Sequence, residues 1–149
     1  YVDGADEILL NESIEVLKGR GYDLIREKLL ASSSNECIII GDNSKIVDKI
    51  GTNFPIPVEV SPIGWKITKK IIAQFATECN LRKNTAGDGF AITSYGNLVL
   101  DCKFESSDII TLSTQLSDIP GVLEHGIFLN IVHIAIIANN GDIKKYQFN

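Results

Sequence analysis

The chain contains no methionine, one tryptophan, two histidines and three cysteines, and 14 Lys and Arg face 19 Asp and Glu for a net charge of −5. That acidic balance, with no basic stripe carrying interleaved aromatics, excludes a nucleic-acid surface. No apolar run reaches the roughly 20 residues a bilayer-spanning helix needs. The longest candidate, GIFLNIVHIAIIA, reads instead as buried strand. Cys37, Cys79 and Cys102 are odd in number and form no CxxC pair. They are read as buried free thiols of a reducing compartment. His125 has no nucleophile beside it in sequence, and His133, in an apolar strand, reads as a satisfied core histidine. Neither histidine has a partner at metal-ligand spacing, so no metal site is expected. The absent methionine, with Tyr1 already inside a strand, is expected of a piece of a longer chain whose targeting segment would lie upstream.

What is present suffices for a core. In 149 residues, 44% are apolar and 22% charged, which fits one domain, or one domain with a small appendage. Residues 1–50 read as a strand entering DGADE, a helix over 23–32, the strand ECIIIGD and the segment KIVDKIG. The continuous β-branched run Cys37–Ile40, bounded by Gly41 and Asp42, reads as a strand buried on both faces of a parallel sheet. Strand–helix–strand at this spacing is one βαβ unit.

Residues 51–123 change character. Prolines 55, 57 and 62 in FPIPVEVSP favour an edge strand or hinge. WKITKKIIAQFATECN reads as a helix with Trp65, Ile67, Ile71, Ile72 and Phe75 on one face. FAITS and NLVLDCKF read as a hairpin joined at Tyr95-Gly96, and a second helix spans 107–117. Residues 124–149 return to strand, with a turn at 139–142 and IKKYQF as an edge strand with its lysines in water. The expected fold is α/β: a partial Rossmann-like parallel sheet formed by 1–50 and 124–149, with a small α+β (ferredoxin-like) lobe inserted over 51–123.

Ligands of open α/β sheets collect beyond the carboxyl ends of the strands, and Asp3-Gly4-Ala5-Asp6 lies at such an end. Gly4 and Ala5 remove bulk so that a polar ligand can approach, while the two carboxylates accept bonds from hydroxyls. The plainer alternative is an Asx-turn. Lys18-Gly19-Arg20-Gly21 precedes the helix that Asp23 caps, and glycines there free backbone N–H groups to face anionic oxygen. A simple tight loop is the competing reading. Glu27, in the first turns of that helix, leans back toward the loop. It can take a proton from carbon beside a carbonyl while Lys18 and the N–H groups steady the oxygen that becomes negative. Its alternative is an exposed pair with Lys28. Lys45, in GDNSK, belongs to the same rim, or else is a solvated lysine at a helix start behind an Asn43 or Ser44 cap.

The ordered motifs DGADE, KGxG with a following REK, a strand ending in D-x-SK, FPxPVEV, a glycine hairpin and IPGVxEHGxF resemble ribose-5-phosphate isomerase of the A type over essentially the whole chain. IGWK and EHGIFL are most similar to eukaryotic, plant-like members. The resemblance implies interconversion of ribose 5-phosphate and ribulose 5-phosphate, in the non-oxidative pentose phosphate branch, through an enediol and with no metal or organic cofactor. It implies Glu27 as the catalytic base, Asp3 and Asp6 on the sugar oxygens, Lys18 to Gly21 around the enediolate and Lys45 as a substrate-binding lysine. It also implies a homodimer or homotetramer and a structural role for His125 near a hinge; no membrane or nucleic-acid partner is expected, and the expected setting is cytoplasmic, or plastid behind an upstream transit peptide. Departures from the family pattern are Tyr22 and Asp23 after KGxG, ITSYGN without the usual Asp-Asn, and no Gly-Thr-rich phosphate loop. If exposed, Asp23 four residues before Glu27 is a modest repulsion. If buried, the pair would raise the pKa of the base. The alternatives are a non-catalytic relic that binds sugar phosphate or forms oligomers, and, ranked last, a small-molecule sensor.

Overall fold

A computed structural model describes residues 1–148. Strands β1 (Val2–Asp3), β4 (Ile38–Asp42) and β10 (Ile134–Asn139) run parallel, and β11 (Asp142–Gln147) closes the edge antiparallel. The edge lysines Lys144 and Lys145 are exposed, as expected. A hairpin of β2 (Glu7–Leu10) and β3 (Ile14–Leu17) joins β9 (Ile127–Val132) in a second sheet. The sequence reading lacks this hairpin, which stands inside the βαβ crossover from β1 to β4. Helix α1 (Leu24–Ser33) completes that crossover, one residue later at each end than expected.

The third sheet has the order β6-β7-β5-β8, from β5 (Ile56–Val60), β6 (Glu78–Leu81), β7 (Leu98–Lys103) and β8 (Val122–His125). Helices α2 (Trp65–Ile72) and α3 (Ile109–Ser117) give the β-α-β-β-α-β order of a split βαβ module. The fold is therefore mixed α/β, as the sequence implies.

Several local expectations are corrected. β5 is neither edge nor hinge; all five residues are buried between β7 and β8. Pro57 is tolerated because N and C=O of one strand residue point the same way, here toward Gly126. There its carbonyl accepts the Gly126 N–H at 2.8 Å, while the Gly126 carbonyl accepts from Lys18 N–H. The stretch 65–80 is not one helix: α2 ends at Ile72, and Thr77 N–H donates to the Lys103 carbonyl at the start of the β6–β7 ladder. Ile67 faces solvent and Thr68 takes the buried position. FAITS forms no strand, because both edges of β7 are occupied by β5 and β6; what remains is an isolated antiparallel bridge from Phe90 to Lys83 and the turn, with Gly96 at φ +80°. β4 is not buried on both faces: Ile39 is fully buried but Ile40 is 51% exposed, since α1 covers one face only.

Two apolar clusters form the core. One joins Val58, Leu100, Ile72 and Leu116 to Leu9 and Leu17; the other packs Leu24 and Ala31 of α1 on Ile39, Ala135 and Phe128. Cys79 and Cys102 are cross-strand partners with sulfurs 3.4 Å apart, unbonded. His133 is not in the core; it is exposed where β9 gives way to β10, accepting the Cys37 N–H through Nδ1 at 3.1 Å. His125 is buried, its Nε2 lies 3.2 Å from the hydroxyls of Ser113 and Ser117, and burial drives its pKa down to about 4. Among the described residues no helix is long and apolar enough to cross a membrane.

Candidate active site

Asp3 ends β1 level with Ile39 of β4, and Lys18 leaves β3 after its N–H pairs with the Gly126 carbonyl at 2.9 Å. These two anchors bring the Lys18 ammonium to Asp3 Oδ2 and to the Gly4 carbonyl, both at 2.8 Å, and to Glu27 Oε2 at 3.5 Å. Only 6% of Lys18 is exposed, so its charge is answered by these oxygens rather than by water. Tyr1 donates its hydroxyl to Asp3 Oδ2, and Gly4 N–H donates to Oδ1 at 2.8 Å. Residues Asp3 to Asp6, Lys18 to Gly21 and Glu27 line one cavity of about 210 Å³.

Asp3 is shifted in the opposite direction from Asp6 and Glu27. Burial pushes Asp3 up, but bonds from Lys18 and Tyr1 outweigh it, so its pKa lies below the usual value. Burial raises Asp6, and Arg20, Lys18 and Lys45 offset this only in part. Burial also raises Glu27; Lys18 pulls it back and Asp3 pushes it up again, with a net upward shift. Carboxyls pushed apart in this way can divide acid and base work between them. Asp23 is no part of the shift in Glu27. As the N-cap residue of α1 it makes no side-chain capping bond and instead pairs with Arg26 at 2.7 Å.

Lys45 is off the cavity wall. Asp3 is level with Ile39, whereas Lys45 follows the end of β4 at Asp42, three residues or about 10 Å further along the strand. It closes a 3-10 turn over Asn43–Lys45, capped by Asp42, whose carboxylate accepts the Ser44 N–H at 2.8 Å. Its Nζ lies 5.9 Å from the Phe54 ring centroid, and the Arg20 guanidinium lies 4.2 Å from the same centroid.

Two supports escape the sequence reading. Glu7, fully buried, accepts N–H bonds from Gly51 at 2.6 Å and Phe54 at 3.0 Å, and so fixes the loop carrying that ring. Arg82 reaches from the end of β6 to the carbonyls of Gly19, Arg20 and Gly21. Only an alternating ILLNESIEVL around an Asn-Glu-Ser turn could have revealed the β2–β3 hairpin that carries Glu7; for Arg82 the sequence offers no signal. Among the described residues no cluster of His, Cys, Asp and Glu fits a metal ion.

The chain is 42% identical over 147 residues to ribose-5-phosphate isomerase A of Bacillus mycoides, covering 97% of this chain and 64% of that protein. The solved structure of ribose 5-phosphate isomerase A from Methanocaldococcus jannaschii superposes with a TM-score of 0.91 at 32% identity, over 98% of this chain and 64% of the other. A D-ribose-5-phosphate isomerase solved in complex with phospho-erythronic acid gives the same TM-score, 0.91, at 36% identity, over 98% and 63% of the two chains. The chain thus spans less than two thirds of the length of these relatives. Residues 1–142 match the family described as ribose 5-phosphate isomerase A (phosphoriboisomerase A), and the chain belongs to that family.

Proposed function

We propose that this chain carries the proton-transfer site of an isomerase interconverting ribose 5-phosphate and ribulose 5-phosphate. The observation that carries the reading is the Lys18 ammonium, 2.8 Å from Asp3 and 3.5 Å from a Glu27 whose proton affinity is raised. A carboxylate whose proton affinity is raised takes a proton from carbon more effectively than an ordinary one.

In this reading Glu27 removes the proton from C2 of the open-chain aldose. The C2–H electron pair becomes the C1–C2 double bond, and the carbonyl pair moves onto O1. Lys18 and the loop N–H groups stabilise that negative oxygen. Glu27 returns the proton to C1, the hydroxyl proton passes from O2 to O1, and the ketose results. Asp3 and Asp6 hold the sugar hydroxyls, Gly4, Ala5 and Gly19 leave room for them, and Lys45, with Arg20 across the Phe54 ring, attracts the anionic end. Phospho-erythronic acid joins a carboxylate to a phosphate, so it suits the same two ends of the site.

Residues 51–123 are read as a small lobe and 1–50 with 124–149 as the catalytic part. Exposed Ile63 and Ile67 on the lobe suit assembly into a homodimer or homotetramer. Three free cysteines suit a cytoplasmic setting.

The test is conversion of ribose 5-phosphate by the full-length protein, with calorimetry on the same sample. Turnover supports the isomerase. Binding without turnover would replace it with a binding-only relic, and neither would remove the reading.

A further inference from the structure

Arg82 lies just beyond β6, is 14% exposed, and is fixed at the backbone by its N–H to the Val99 carbonyl at 2.9 Å. Asp101 on β7 grips its Nε at 2.9 Å and its Nη2 at 2.5 Å. That leaves Nη1, which donates to three successive carbonyls: Gly19 at 2.9 Å, Arg20 at 3.3 Å and Gly21 at 3.1 Å. The next carbonyl, Tyr22, accepts the Ser94 N–H at 3.1 Å. Four consecutive carbonyls are therefore bound by Arg82 and Ser94, neither of which lines the cavity.

No peptide bond here is cis. In a trans peptide, C=O of one residue and N–H of the next point in opposite directions. The N–H groups of Arg20, Gly21 and Tyr22 therefore point away from the guanidinium, and the Arg20 backbone lies close enough to Asp6 to favour its ionised form. Three convergent carbonyl dipoles repel one another, so this loop conformation needs a cation behind it. At its start the loop backbone packs closely on Pro57 and Leu24, where only glycine fits: a Cβ on Gly19 would lie 2.8 Å from Pro57 Cγ and 3.0 Å from Leu24 Cδ1.

Resting on the isomerase reading, we propose that Arg82, anchored by Asp101, is a positioning residue for the reaction. It draws the carbonyls of residues 19–21 outward and so aims the loop's N–H groups at the oxygen that becomes negative. It does not touch substrate. The planar fork, split between a carboxylate and a row of carbonyls, is a task lysine cannot perform as a point charge.

The experiment uses the full-length protein with Arg82→Ala, Arg82→Lys, Asp101→Asn and, as control, Lys103→Gln, which alters an exposed pair with Glu78 in the same sheet. Melting identifies a temperature at which each variant is folded, and kinetics on ribose 5-phosphate follow there. Arg82→Ala lowers kcat about tenfold to a hundredfold, short of the loss from deleting an oxyanion donor outright, with KM little changed. Added ethylguanidinium restores much of that kcat, Arg82→Lys does not match the rescue, and Lys103→Gln behaves as wild type. Amide hydrogen exchange at Arg20, Gly21 and Tyr22 quickens in Arg82→Ala and Asp101→Asn but not in Lys103→Gln. Should Arg82→Ala fail to fold, Asp101→Asn supplies both readouts. A folded variant with a lower melting temperature and unchanged kcat overturns the proposal, as does an unaltered loop. An inactive wild-type protein whose loop amides still quicken would instead overturn the isomerase reading and leave the clamp standing.

Discussion

Replacing Glu27 with glutamine keeps the shape of the side chain and removes its charge and basicity. A positioned general base contributes about a hundredfold to ten-thousandfold, so kcat on ribose 5-phosphate should fall by at least about a hundredfold, roughly 2.7 kcal/mol of barrier. Stability should move little. Unit charges about 4 Å apart attract by on the order of 4 kcal/mol at an effective dielectric of 20, which by itself would make loss of the Lys18–Glu27 contact costly. Yet the pKa of Glu27 is raised, so burial and Asp3 together outweigh Lys18. The ionised carboxylate is thus a net burden on the fold, and Lys18 keeps two acceptors at 2.8 Å when it is removed. A raised carboxyl contributes stability fully present below its ordinary value of 4.5 and lost as pH rises through its folded value. At neutral pH the glutamine variant should therefore melt no lower than wild type, and its advantage should vanish below about pH 4.5. The assay pairs a coupled measurement of ribulose 5-phosphate with thermal melting across pH. A variant that keeps near-normal turnover, or loses activity only because it melts early, refutes the reasoning.

Three further outcomes follow from the same geometry. Lys18→Met strips Asp3 of its ammonium; breaking a buried pair costs about 3–5 kcal/mol, and Asp3, 35% exposed, puts this near or below the lower end. The melting temperature should drop, and by carboxyl NMR the pKa of Asp3 should rise toward its ordinary value. Gly126→Ala places a Cβ 2.2 Å from the Lys18 carbonyl and 2.7 Å from Pro57, so denaturant unfolding should show a loss of at least about 1–3 kcal/mol. In the pH profile of kcat/KM, activity should fall on the acid side as Glu27 takes up a proton, with a midpoint above 4.5 that disappears in the Gln variant.

Much of the candidate site's grouping was readable because its residues lie in short local segments. The DGAD turn, KGRG and Glu27 converge on one cavity because a strand end, a strand exit and a first helical turn each place them locally. The family likeness carried by the ordered motifs was borne out as well. Lys45 was harder, since strand register, not rim membership, sets its height. Pro57 argued for an edge, and only the long-range pairing with Gly126 explains its central place. The β6 strand was hidden in an apparent helix because its ladder to β7 outbids local helix propensity. Arg82 was invisible for that reason: its partners lie about sixty residues earlier and on a neighbouring strand. Tyr22 and Asp23 drew attention as departures, yet Asp23 turns to Arg26 and leaves the base alone.

The most direct measurement follows the hydrogen at C2. Ribose 5-phosphate is incubated with the full-length protein in heavy water and followed by proton NMR. Loss of the C2 proton signal at a rate comparable to turnover, abolished by Glu27→Gln, is the predicted result. Turnover that persists in the Gln variant with the same exchange, or sugar bound with C2 left untouched, would contradict the account.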